Sequence, residues 1–219
     1  MHHTLKFLRF PDDILKDSER YYKKTKIDYS LYLVAEDSKY SCLMPDQISQ
    51  VRKIWQRYVP NIDDGKKTYI WDMTSNIGTD SINLFTLYNK RKVSIMSIEK
   101  NRHTYALLRH NVKIFNTHIR TFHENCVDIV TLNSEELKDD IIYFDPPWGG
   151  SAYWKITNQY LYLNASDGKK FGIHALVNML MVNRTAPVVI KTPSNFDLVK
   201  FKLSVACKVM VNNVYKKEK

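Results

Sequence analysis

Glycine and proline are scarce in this chain, with six and seven among 219 residues. Collagen-like repeats and Gly/Pro-rich low-complexity segments are therefore excluded. Cysteine is scarcer still. Cys42, Cys126 and Cys207 make an odd number, with no CxxC and no His/Cys metal spacing, so the expectation is reduced thiols, no metal site and an intracellular protein, nuclear or cytoplasmic. No apolar run approaches the ~18–20 residues a bilayer span needs, and no signal-peptide pattern opens the chain, so no membrane association is expected. Acidic charge is also in short supply: 33 Lys and Arg face 23 Asp and Glu, a formal net charge of +10.

That excess is uneven. Residues 90–120 hold eight Lys/Arg against one acid, and residues 184–219 hold eight against two. Such clustering favours a polyanionic partner, because each neutralised phosphate releases counterions. Charge alone leaves a plain solvated basic surface equally open.

From residue 68 onward, short β-rich runs alternate with helical stretches, which is the pattern of a parallel sheet covered by helices. The strand expectations are residues 68–72, 92–99, 119–123, 140–145, 188–191 and 208–215. Residues 101–116 carry Tyr105, Leu108, Val112 and Phe115 at helical spacing, and residues 171–183 form a second apolar helix closed by Pro187. Ahead of the sheet, residues 45–59 place Ile48, Val51, Trp55 and Tyr58 on one helical face, and an Asp63-Asp64-Gly65 turn follows. The expected organisation is an N-terminal helical extension over residues 1–62, packed on an α/β domain over residues 63–219.

Three motifs carry chemistry. The first, Asp72-Met73-Thr74-Ser75-Asn76-Ile77-Gly78-Thr79-Asp80, joins a strand to a helix where backbone N–H groups can meet a ligand at the carboxyl edge of the sheet. Gly78 permits close approach, Asn76 tolerates a left-handed conformation, and Asp72 is placed to face an amino group. The second is Glu99, at the end of the next strand, where a carboxylate can accept both hydroxyls of an adenosine ribose. A helix-terminal acid stabilising the following dipole is the plainer reading. No GxGxxG loop is present, which points away from a dinucleotide.

The third motif is Ile141-Ile142-Tyr143-Phe144-Asp145-Pro146-Pro147-Trp148-Gly149-Gly150. An apolar strand runs into two prolines that stiffen the backbone. The Asp145 carboxylate and the Pro146 carbonyl can then converge as acceptors for a planar amino group, with Trp148 as a stacking face. Indole is also the best aromatic face for a cation. Generic base stacking is the alternative.

Asp-Pro-Pro-Trp resembles the (Asp/Asn/Ser)-Pro-Pro-aromatic signature of class I methyltransferases that act on exocyclic amines of nucleobases. With Gly149-Gly150 it is similar to the trimethylguanosine synthase family, which methylates the 2-amino group of a 7-methylguanosine RNA cap. The likeness covers roughly the whole chain and is strongest over residues 68–154. It includes residues 72–80, Glu99, Ala106-Leu107-Leu108-Arg109-His110-Asn111, Thr192-Pro193-Ser194-Asn195, and, in the N-terminal part, Tyr21-Tyr22, Tyr40-Ser41 and Pro45-Asp46. The resemblance implies a Rossmann-like class I methyltransferase fold, mostly parallel with helices on both faces. It implies S-adenosylmethionine held by Asp72, Thr74, Asn76, Gly78, Glu99, Asn125, Cys126 and Asp145. It further implies catalysis through Asp145, Pro146 and Trp148. Capped RNA would be bound by Trp148, Tyr153, Lys191 and Asn195, with the protein expected as a monomer.

The chain departs from the family at several places. The family's paired glycines are replaced by Gly78-Thr79, and a further glycine by Asn76. Asn125 stands where an acid contacts the adenine amine, Met44 where a hydroxyl residue is usual, and Ser194 where a basic residue faces the cap phosphates. Lys191 is the substitute expected in that last role. Two other readings stay open: an amino-methyltransferase acting on an internal guanine or adenine of RNA or DNA, and a non-catalytic RNA-binding module that has lost the cofactor.

Overall fold

The computed structural model describes residues 32–34, 45–59, 67–88, 93–115, 118–150 and 152–212. The expectations for Tyr21-Tyr22, Tyr40-Ser41, Cys42, Met44 and the Asp63-Asp64-Gly65 turn lie outside those residues.

In chain order the elements are α1 (Pro45–Tyr58), β1 (Thr68–Asp72), α2 (Thr79–Tyr88), β2 (Val93–Ile98), α3 (Arg102–Ile114), β3 (Arg120–Phe122), α4 (Cys126–Asn133) and β4 (Ile141–Phe144). A 3-10 turn (Tyr153–Lys155), β5 (Tyr162–Asn164), β6 (Lys170–Gly172), α5 (Ile173–Leu180), β7 (Val188–Ile190) and α6 (Leu198–Ser204) complete them. Five strands form one sheet in the order β3-β2-β1-β4-β7, every neighbouring pair parallel. The fold is the Rossmann-like α/β architecture expected from the alternating pattern.

Strand periodicity explains the two cores. Along β4, Ile141 and Tyr143 face one apolar cluster, with Trp55, Ile70, Leu84, Leu108 and Val112. Ile142 and Phe144 face the other, with Val127, Val130, Ile173 and Leu176. All four residues of β4 are buried, as a strand covered on both faces requires. Helices α1, α2 and α3 supply the first cluster; α4, α5 and α6 supply the second.

Helix α1 docks through Trp55, which is 3% exposed and meets Tyr143 edge-on at 5.6 Å. Burying a side chain of that size contributes about 2–3 kcal/mol. Helix α3 begins one residue inside the expected span because Asn101 is its N-cap, its side-chain oxygen accepting from the N–H groups of His103 and Thr104. Asn116, at the far end of that span, is outside the described residues.

Two expectations are corrected. Residues 171–183 are not one helix: Phe171 and Gly172 belong to β6, which pairs antiparallel with β5, and α5 ends at Leu180. The hairpin turns through Asp167-Gly168, where the Lys169 N–H donates to the Asp167 carboxylate at 2.9 Å. Residues 208–212 form no strand, and residues 213–215 lie outside the described part. Cys207 and Val209 do pack on the second cluster. Alternating apolar residues there mark which side chains are covered, without a backbone ladder.

Gly78 is demanded twice over. Its φ is +95°, and a Cβ built there would lie 2.7 Å from Cδ1 of Leu108 on α3. The space is therefore used by the protein's own helix packing. Gly78→Ala is expected to destabilise the fold by roughly 2–4 kcal/mol through left-handed strain and overpacking, lowering Tm by on the order of 10 °C. Thermal denaturation followed by circular dichroism checks this; an unchanged Tm would show that the contact is soft.

Candidate active site

The sheet order reverses between β1 and β4, since the chain runs outward from β1 to β3 and then crosses back to β4. Open parallel sheets bind ligands at that switch, outside the carboxyl ends of the strands. Asp72 ends β1 and Asp145 follows β4, so the first and third motifs leave the sheet side by side. Two hydrogen bonds tie them: the Met73 N–H donates to the Tyr143 carbonyl at 2.9 Å, and the Asp145 N–H donates to the Thr74 hydroxyl at 2.8 Å. Thr74 is thus a brace between the two loops.

The loop after β1 is held by side chains more than by glycine. Asn76 has φ +49°, the left-handed conformation anticipated for it. Its N–H donates to Glu99 Oε2 at 3.1 Å, while Glu99 Oε1 accepts from the Asn101 N–H at 2.7 Å. Both carboxylate oxygens are anchored and each keeps a further lone pair at the sheet edge. Burial pushes the Glu99 pKa up, and the two backbone donors oppose this.

Asp72 is fully buried. Its Oδ2 accepts from the Ser81 hydroxyl at 2.5 Å, and Ser97 in turn donates to Ser81 at 2.6 Å. Burial, and then the neighbouring Asp80 charge, push the carboxyl up to about 7, against the opposing Ser81 bond. The structure therefore gives this residue to the interior of the loop. Asn125 caps α4, accepting from the Val127 N–H at 3.0 Å, and donates to the Asn164 carbonyl at 2.9 Å, linking the β3–α4 loop to the β5–β6 hairpin. The Cys126 thiol beside it is pushed by burial to about 12, so it stays neutral.

At the third motif, Pro146 is buried while Pro147 is exposed and Trp148 half-buried. The corner reaches the surface. Gly149 follows with φ +95°, which turns the chain back. The Tyr153 ring meets Trp148 edge-on, with centroids 5.2 Å apart. Asn195 holds that turn, its amide nitrogen donating to the carbonyls of Tyr153 at 2.8 Å and Ile156 at 2.6 Å. Gln159 donates its side-chain amide to the Trp148 carbonyl and its N–H to the Asn195 carbonyl at 2.9 Å. Three buried polar atoms of this group have no partner: Trp148 Nε1, Gln159 Oε1 and Asn195 Oδ1.

Lys191 is not free at the edge. Its ammonium lies 2.6 Å from Asp145 Oδ2, 3.6 Å from Asp80 Oδ2 and 5.7 Å from the Trp148 ring centroid. The Tyr143 hydroxyl donates to the same Asp80 oxygen at 2.9 Å. Burial pushes Asp145 up to about 7, with Lys191 pulling it down and Asp80 pushing it up. Lys191 moves upward and stays charged, because the two carboxylates outweigh its own burial.

The roles of Asp80 and Gln159 are not visible in the sequence. An acid in the first turn of a helix reads as a dipole partner, and nothing marks Gln159.

The model of the RNA cap guanine-N2 methyltransferase family matches residues 67–218. The chain belongs to that family. A curated relative, an uncharacterized protein of Acanthamoeba polyphaga mimivirus, is 31% identical over 134 residues, which is 60% of this chain and 48% of the relative. The chain thus spans about half the length of the curated relative it matches. The solved SAM-dependent methyltransferase from Agrobacterium tumefaciens shares 12% identity, with a TM-score of 0.48 over 69% of this chain and 46% of the other.

Membership makes S-adenosylmethionine the implied methyl donor, and the residues present suit it. Glu99 offers acceptors for ribose hydroxyls. Asp80 and Asp145 are two carboxylates against the one ammonium of Lys191, which favours a ligand carrying positive charge. Among the described residues no His/Cys/Asp/Glu group could hold a metal ion, and no helix is long and apolar enough to cross a membrane.

Asp72 yields a stability prediction whose sign follows from its raised pKa. An acid titrating near 7 when folded and 3.8 when unfolded contributes stability that is full below 3.8 and is lost as pH rises through 7. Asp72→Asn removes that titration. Its stability relative to the parent should rise between pH 4 and 8, by at most ~4 kcal/mol at 1.36 kcal/mol per pKa unit. Urea midpoints across that range measure it, and parallel curves for the two proteins would refute it.

Proposed function

We propose that the chain transfers a methyl group from S-adenosylmethionine to the exocyclic 2-amino group of a guanine, the 7-methylguanosine cap of RNA. The observation that carries this is the brace between Thr74 and Asp145, 2.8 Å long. It sets the Asp-Pro-Pro-Trp corner directly beside the loop after β1. Family membership supports the choice of guanine.

When bound, the cofactor supplies a methyl group made electrophilic by its sulfonium. The loop of residues 73–78, Glu99 and the segment at Asn125 and Cys126 would hold it. Asp145 Oδ1, the oxygen that Lys191 leaves open, and the Pro146 carbonyl accept the two N–H bonds of the amine and aim its lone pair. Catalysis by such positioning needs no strong base, since the amine loses its proton readily once its new bond forms. Trp148 stacks on the base with Tyr153 at its edge. Trp148 Nε1, Gln159 Oε1 and Asn195 Oδ1, in and behind that clamp, are buried without a partner, each at a cost of roughly 1–3 kcal/mol.

One observation favours a second reading. The Lys191 ammonium already lies 5.7 Å from the Trp148 ring centroid, and a second cation on that indole meets repulsion. A neutral internal guanine or adenine avoids it.

Incubation with labelled cofactor and a short RNA, capped with 7-methylguanosine, capped with guanosine or uncapped, followed by nucleoside analysis, separates these readings. The cap reading expects label on the 2-amino group of 7-methylguanosine alone. Label on an internal base of the uncapped RNA would establish the second reading instead. Asp145→Ala should lower kcat by roughly 10²-fold, the scale of losing one oriented polar group, with cofactor affinity retained; unchanged turnover would remove the role given to Asp145. Trp148→Ala should weaken a 7-methylated cap analogue about 2–30-fold more than the unmethylated one, the worth of a cation–π contact. Equal losses would favour the neutral base.

A further inference from the structure

Three ionisable side chains from three segments surround Asp145: Lys191 just beyond β7, Asp80 in the first turn of α2, and Tyr143 within β4. Of these, Lys191 is the only cation. Its backbone is fixed, because its own N–H extends the β4–β7 ladder by donating to the Phe144 carbonyl at 2.8 Å. Its ammonium is fixed too, bridging Asp145 at 2.6 Å and Asp80 at 3.6 Å, with the Tyr143 hydroxyl bracing Asp80 at 2.9 Å. The pair uses Oδ2 of Asp145. The Asp145 N–H is meanwhile tied to Thr74 at 2.8 Å, so both backbone and carboxylate are oriented.

We propose that Lys191 is the positioning residue of the reaction: it takes one oxygen of Asp145, keeps the carboxylate ionised and presents the other oxygen to the acceptor amine, while Asp80 and Tyr143 hold the lysine in place. This rests on Asp145 being the acceptor of the amine. The chemistry requires ionisation. A protonated Asp145 would offer an O–H where the substrate also offers N–H groups, and the lone pair of the amine would be aimed less well. Two buried carboxylates sharing a site do not both ionise unless a cation sits between them. Lys191 is that cation. Burial and Asp80 push Asp145 upward against the pull of Lys191, so loss of the ammonium would move it further toward the neutral form.

The test uses the full chain without cofactor or RNA. Trp148 lies against the pair, so its fluorescence reports the charge of Asp145 as pH is varied, and the transition absent from Trp148→Phe belongs to this corner. Lys191→Met should move that transition up by roughly one pH unit or more, the usual effect of removing an opposite charge at contact distance. Lys191→Arg should restore it. Asp80→Asn, which removes the repelling neighbour, should move it down. The upward shift and its rescue by arginine are not produced by a merely structural lysine. In the methylation assay the acid limb of kcat should follow the same shifts, with the KM for cofactor little changed.

A Lys191→Met transition that stays in place would overturn the proposal. Should that variant not fold, Lys191→Gln, which keeps a polar stem without the charge, decides in its place: an upward shift supports the proposal and an unmoved transition overturns it. Shifts as expected, in a protein that methylates none of the RNAs, would confirm the ion pair, reject its catalytic purpose and return the failure to the functional reading.

Discussion

Charge is crowded at the carboxyl edge between β1 and β4, and the rest of the site is arranged around that crowding. Asp80 lies within reach of the charge of both Asp72 and Asp145, with the Lys191 ammonium bridging Asp80 and Asp145. Taken from water, carboxylates at this spacing resist ionisation unless hydrogen bonds or a cation compensate them. The protein uses both devices. Hydroxyls of Ser81 and Ser97 line up behind Asp72, and Lys191 with the Tyr143 hydroxyl serves Asp80 and Asp145. The switch point of the sheet gives this cluster its place, because only there do two adjacent parallel strands send their loops in diverging directions.

The same network sets the division of labour between the two loops. On the proposed function, the loop after β1 serves a methyl donor that is positively charged, and the loop after β4 serves an amine that must be held without a strong base. The Thr74 hydroxyl at 2.8 Å and the Met73 N–H at 2.9 Å connect them, so the relative position of the two loops depends on these two bonds. Positioning of this kind contributes to catalysis only when the supporting groups are themselves held. Gln159 on the Trp148 carbonyl and Asn195 on the Tyr153 and Ile156 carbonyls do that for the aromatic clamp.

Much of the fold was legible in the sequence because it is written in local alternation. Strand β1 falls on residues 68–72 as expected, and the other sheet strands fall within a residue or two of their expected ends. The left-handed Asn76 and the Asn101 cap follow equally from side-chain chemistry. The β5–β6 hairpin was missed although its Asp167-Gly168 turn is a known hairpin signal; the long apolar run beyond it reads more strongly as one helix. Within the site, sequence identified the residues of the corner but not their partners. Lys191 reads as a strand-end lysine for phosphate, while its pairing with Asp80 spans residues far apart along the chain. No periodicity encodes such a contact.

The poverty in glycine now has a physical answer. A loop that approaches a ligand is usually shaped by glycines, yet here Gly78 is used against Leu108 of the protein itself. What shapes the loop instead is a buried amide. Asn111, fully buried in α3, donates to the carbonyls of Ile77 and Leu33 at 2.9 Å each and accepts from the Leu33 N–H at 2.9 Å. The Tyr32 hydroxyl reaches the same Ile77 carbonyl at 3.1 Å. A glycine loop gains its shape by permission, since many conformations remain open to it. This loop gains its shape by constraint: a satisfied buried amide specifies one arrangement and penalises the rest by the cost of an unmet hydrogen bond. Residues 32–34 are therefore part of what holds the loop after β1.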